Sequence, residues 1–65
     1  MQLSDLTRPE AEYFRQECNF TPTERRVFDL RVSDKSIVEV CMELSLSESA
    51  VNRKIRCIKA KMARV

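Results

Sequence analysis

The chain has 65 residues, 43% of them hydrophobic and 34% charged, with a formal net charge of +2. That is a single small domain with the apolar content of a folded chain, too short for two cores and too apolar for disorder. It has no Gly and only 2 Pro, and no apolar run approaches the roughly 18–20 residues of a membrane span, which excludes a turn-rich β domain and a spanning helix and leaves an all-α fold.

The N-terminus, Met1-Gln2-Leu3-Ser4-Asp5, lacks the basic and apolar regions of a signal peptide, so a cytoplasmic location is expected. Two helix starts then share one pattern. Thr7-Arg8-Pro9-Glu10 and Thr21-Pro22-Thr23-Glu24 each place a Thr cap ahead of Pro in the first turn, with Glu three residues on. The first predicts a helix over Arg8–Cys18, with Ala11, Phe14 and Cys18 on one face and Tyr13 beside them. The second predicts a helix over Pro22–Val32 that offers Val27, Phe28 and Leu30 to a core, with Phe20 ahead of the cap packing back as a staple.

Ser33-Asp34-Lys35 is a short polar break. Ser36 caps a third helix through Leu44, with Ile37, Val40, Cys41 and Leu44 inward and Glu39 and Glu43 outward. Ser45-Leu46 is a tight turn. Ser47, followed by Glu48 in the first turn, opens a fourth and longer helix to Ala63. Four helices with short connections make one all-α domain over residues 1–65, with no repeat, linker or low-complexity tract.

The fourth helix carries most of the functional signal. From Val51 to Val65 there are 6 basic residues and no acidic one, whereas residues 1–50 hold 6 basic and 10 acidic groups. Val51, Ile55, Ile58 and Met62 fall on one face at helical spacing, and at about 100° per residue Ser49, Asn52, Arg53 and Arg56 cluster on the other. One side suits a core and the other suits a negative partner.

The helices capped by Ser36 and Ser47 have the spacing of a helix-turn-helix, in which the first helix braces the second in a DNA major groove. Arg bonds guanine bidentately and Asn bonds adenine, so Ser49, Asn52, Arg53 and Arg56 are the candidate base-reading residues. Lys54 and Lys59 lie toward the margins, where a flexible point charge suits phosphate. Lys35 and the amides at Ser36 are candidate phosphate contacts from the start of the third helix.

Residues 20–62 resemble the LuxR/GerE-type helix-turn-helix domain. The resemblance rests on Phe20-Thr21-Pro22-Thr23-Glu24, on the apolar pair Val27-Phe28 and on the Ser-capped third helix. It continues through Leu44-Ser45-Leu46-Ser47-Glu48-Ser49-Ala50-Val51 and closes with Ile58, Lys61 and Met62. The stretch Glu24–Arg31 is also similar to the corresponding helix of sigma factor region 4. The family resemblance implies base contacts at Asn52, Arg53 and Arg56, and it places Glu24 where it can pair with a basic residue of the fourth helix, although its capping role is explanation enough. Three departures stand out. Ser33 and Asp34 replace the Gly between the second and third helices, Ala50 replaces a Thr, and Ser45 stands where related motifs often carry Gly.

The 3 Cys, Cys18, Cys41 and Cys57, include no Cys-x-x-Cys and there is no His, which excludes the usual zinc spacings and fits reduced, half-buried thiols. No cofactor, metal or small-molecule ligand is expected. Without His, a Gly-rich phosphate loop or an activated nucleophile, no enzymatic chemistry is expected either.

Double-stranded DNA is the expected partner. The alternative is a sigma-region-4-like module that docks on RNA polymerase or another regulator. No receiver or ligand-binding domain precedes the motif, so control is expected from outside the chain. A homodimer is expected as well, because a domain of this size buries only about 60% of its unfolded surface. Leu3, Leu6, Ala11, Phe14 and Cys18 are the available seam, and the alternatives for this first helix are a partner site or, on at least equal terms, completion of the monomer core.

Overall fold

The computed structural model describes residues 2–65. A 3-10 turn over Leu3–Asp5 precedes four helices, α1 (Arg8–Glu17), α2 (Pro22–Val32), α3 (Ile37–Leu44) and α4 (Glu48–Met62). No strand occurs among the described residues.

Every α-helix starts with a hydroxyl cap. Thr7 accepts from the Glu10 N–H, Thr21 from the Glu24 N–H, Ser36 from the Glu39 N–H and Ser47 from the Ala50 N–H. In the first three the Glu returns the bond to the cap's own N–H at 2.9–3.0 Å, closing a reciprocal box. Glu39, expected only as an outward residue, is thereby also part of the α3 start.

The chain leaves its helices without glycine. Asn19, Asp34 and Ser45 adopt the left-handed conformation, with φ of 54°, 65° and 55°. Asn and Asp tolerate it through their short polar side chains, and Ser45 does so at greater cost. The next amide bonds back five residues in two of these exits, Lys35 N–H to Leu30 O and Leu46 N–H to Cys41 O, both at 3.1 Å. The turn between α3 and α4 is therefore closed by the backbone.

The core gathers around α2, which packs on α3, on α4 and on the 3-10 turn. Val27, Phe28, Val40, Val51 and Ile58 are fully buried, with Leu3, Ala11, Cys18 and Met62 around them. Phe20 packs back as expected, one turn further along α2 than a staple, with its ring 5.0 Å from that of Phe28. Arg15 ties α1 to α2. Its guanidinium reaches Asp29 at 2.9 Å and lies 5.8 Å from the centre of the Phe28 ring.

Three expectations are corrected here. The expected dimer seam is largely taken up by the monomer, as the alternative reading of this segment has it: Leu3, Ala11 and Cys18 are buried in its own core, while Leu6 and Phe14 pack against that core and stay partly exposed. The 3-10 turn packs on α2 with Leu3 buried, which accounts for that one residue. Tyr13, expected beside the inward face of α1, is half exposed, with its ring 5.4 Å from that of Phe14 and steeply inclined to it. The three thiols are free, but only Cys41 is half-buried; Cys18 is buried and Cys57 is exposed.

Candidate nucleic-acid interface

α4 is 15 residues long, about 22 Å at 1.5 Å per residue. Its rotation is set from inside. Val51, Ile58 and Met62 are buried and Ile55 is packed against them, so the helix is fixed on the core along its whole length. The opposite side is then determined. Ser49, Asn52, Arg53 and Arg56 are all exposed and together line one shallow surface depression. The structure thus brings the four candidate base-reading residues onto one patch.

The charges around that patch are less uniform than the sequence suggests. Lys59 is exposed and Lys54 is half-buried at the flank. Lys61 turns the other way: its Nζ donates to Oε1 of Glu24, a residue only 5% exposed. One of the basic groups of α4 is therefore neutralised inside the domain, and Arg53, Lys54, Arg56, Lys59 and Arg64 make no ion pair among the described residues. Burial pushes the Glu24 carboxyl up, but hydrogen bonds from Lys61 and Thr21 outweigh it and hold the group below its ordinary value. Glu24 thus does more than cap α2, correcting the expectation that capping is explanation enough.

Lys35 is exposed just before α3. The Ser36 amide, expected as a phosphate contact, already donates to the Glu39 carboxylate at 3.0 Å. An anion at that helix start would meet a carboxylate that the Ser36 backbone and hydroxyl hold below its ordinary value. The Lys35 side chain, by contrast, is exposed and in no ion pair among the described residues.

Cys57, expected as a half-buried thiol, is exposed. It directly follows Arg56 and lies one turn after Arg53, at the edge of the basic patch. Its place on the helical wheel was the available signal, since it falls outside the Val51–Met62 stripe.

Among the described residues no group of three or more His, Cys, Asp or Glu side chains is arranged to hold a metal, and no helix is long and apolar enough to cross a membrane. Comparison of the chain with protein families, curated proteins and solved structures finds no match.

Proposed function

We propose that this chain is a helix-turn-helix transcriptional regulator that binds double-stranded DNA in a sequence-specific way, with α4 in the major groove. The observation that carries the proposal is the shared exposed face of Ser49, Asn52, Arg53 and Arg56 on a helix whose other side is locked in the core. A reading helix has to be rigid in its roll angle, because a base-edge hydrogen bond tolerates little misplacement.

In this reading Arg53 and Arg56 are the guanine-type contacts, Asn52 an adenine-type contact and Ser49 an adaptable hydroxyl near the start of the helix. Lys54, Lys59 and Lys35 meet phosphates and set register. α3 packs on α4 and braces it, with Val40 and Val51 both fully buried in the core they share. The acidic remainder of the domain orients the approach, since phosphates repel it and attract α4. The resemblance of residues 20–62 to LuxR/GerE-type domains supports the same assignment, and a regulator of this kind works in the cytoplasm.

Selection of bound duplexes from a random DNA pool tests the proposal. A defined consensus is expected, and retention of no duplex, or of all duplexes equally, would contradict it. Affinity should also fall with salt. Neutralising about four to six phosphates gives a log–log slope of roughly −4 to −5. An affinity unchanged between low and moderate salt is incompatible with the reading.

A further inference from the structure

The first three helices each use a first-turn carboxylate on their own start: Glu10, Glu24 and Glu39 stand at the third position and accept from the N–H of Thr7, Thr21 and Ser36. α4 is built differently. Its third position is Ala50, whose N–H donates to the Ser47 hydroxyl, and its Glu stands at the first position, as Glu48. Glu48 is exposed, and among the described residues its carboxylate accepts no hydrogen bond and joins no ion pair. It is the one acidic residue of a helix that carries Arg53, Lys54, Arg56, Lys59 and Lys61. Residues four apart on a helix stand nearly above one another, so Glu48, Asn52 and Arg56 form one row, with Ser49 and Arg53 in the row beside it. Glu48 thus heads a row whose other two members line the candidate reading depression.

We propose that Glu48 is a specificity-determining residue that accepts a hydrogen bond from the N4 amino group of a cytosine in the major groove; this rests on the reading of α4 as the base-reading helix. Such a helix contacts base edges with the residues of its N-terminal turns, and Glu48 lies in the first of them. A carboxylate only accepts hydrogen bonds and is repelled by phosphate, so it fits against DNA only where a base edge offers a donor. The major groove offers two, the amino groups of cytosine and adenine. Adenine sets its N7 acceptor beside the amino group, where it repels a carboxylate, whereas cytosine presents the amino group alone. Four residues advance along a helix by about 6 Å, close to the rise of two base pairs. The cytosine should therefore lie beyond the base pair that Asn52 contacts, on the side away from the one that Arg56 contacts. On a duplex with no donor at that place the carboxylate is left unpaired against the DNA, which lowers affinity for the wrong sequence.

The test is selection of bound duplexes from a random DNA pool by the full chain, unaltered and as Glu48→Gln and Glu48→Ala. The unaltered chain is expected to select a C·G pair that Glu48→Ala no longer selects and that Glu48→Gln moves toward adenine, which Gln bonds bidentately. The positions set by Asn52 and Arg56 should persist in both variants. Replacing that cytosine should weaken binding by the unaltered chain about tenfold and leave binding by Glu48→Ala nearly unchanged. Both variants should bind random duplex more tightly at low salt, since a charge that phosphate repels is gone. The side chain is exposed, so both variants should keep the fold, which urea unfolding checks. One consensus shared by all three proteins would overturn the role of Glu48 while base reading by α4 stands. The same consensus with a lower urea midpoint in both variants would reduce Glu48 to a charge that stabilises the helix start. No consensus from the unaltered chain would overturn the base reading itself, and the role of Glu48 with it.

Discussion

Glu24 Oε1 accepts hydrogen bonds from the Thr21 N–H at 3.0 Å and from Lys61 Nζ at 2.5 Å. One carboxylate oxygen therefore closes the start of α2 and holds the last turn of α4, 37 residues away. The Glu24 side chain is 7% exposed and that of Lys61 30%, so removing the cation leaves a carboxylate that water reaches poorly. Lys61→Met keeps the apolar stem and removes the charge. It should cost about 1–3 kcal/mol in urea unfolding. The double variant Glu24→Gln/Lys61→Met should lose less than the two single losses added together, because the second change removes a group already without its partner. Strict additivity would mean that the two side chains do not interact.

The same carboxylate sets an acid limit to stability. Glu24 titrates below its ordinary value of 4.5 in the folded chain and at that value in the unfolded one. Glu39 shifts in the same direction through its bonds to Ser36. The unfolded state thus binds more protons near pH 4, and stability must fall on acidification. The contribution is fully present above about pH 4.5 and is lost as pH drops through the lower folded values. Urea midpoints measured from neutral to acid pH should stay level and then fall, and Glu24→Gln should flatten part of that fall. A midpoint that rises on acidification would show the sign to be wrong.

The legible parts of this fold are local in the chain. Thr7/Glu10 and Thr21/Glu24 mark helix starts within four residues, so no tertiary information is needed to read them. The roll of α4 was legible for the same reason, because Val51, Ile58 and Met62 repeat at helical spacing and all three are buried. What was not legible depends on distant packing. The 3-10 turn over Leu3–Asp5 is too short to leave a period, yet it buries Leu3 and so removes one residue of the expected dimer seam. The family resemblance pointed to a basic partner for Glu24 on the fourth helix, but which of its cations that is, Lys61, depends on how α2 and α4 pack. Likewise the Ser36 amide counted as free until Glu39 closed on it.

Ser45 sits at φ 55° and ψ 43° in the turn between α3 and α4. A residue with a Cβ is strained there, and Gly is not. Ser45→Gly should therefore stabilise the domain by about 1 kcal/mol, seen as a higher urea midpoint with an unchanged slope. Asp34→Gly should gain less, since Asp accommodates φ 65° better than Ser accommodates its own angle. A loss of stability in Ser45→Gly would indicate that the Ser45 side chain contributes something the backbone geometry does not reveal.

The thiols should report both burial and the DNA face. Cys57 is exposed, Cys41 half-buried and Cys18 buried, and burial raises the Cys18 thiol above its ordinary value. Alkylation followed by mass spectrometry should modify Cys57 first, Cys41 next and Cys18 last. Saturating duplex DNA should slow modification of Cys57, next to Arg56, and leave Cys18 unaffected. Identical rates at Cys57 with and without DNA would place the nucleic acid elsewhere on the domain.

The most direct measurement compares affinities for a selected duplex and for random duplex across three variants, Asn52→Ala, Arg56→Ala and Lys59→Ala. The first two remove groups from the depression that Ser49, Asn52, Arg53 and Arg56 share, and the third removes an exposed cation outside it. If α4 reads bases, Asn52→Ala and Arg56→Ala should each lose about 1–3 kcal/mol on the selected duplex and much less on random DNA, while Lys59→Ala weakens both alike. Equal losses on both duplexes for all three variants would contradict base reading and reduce α4 to an electrostatic clamp.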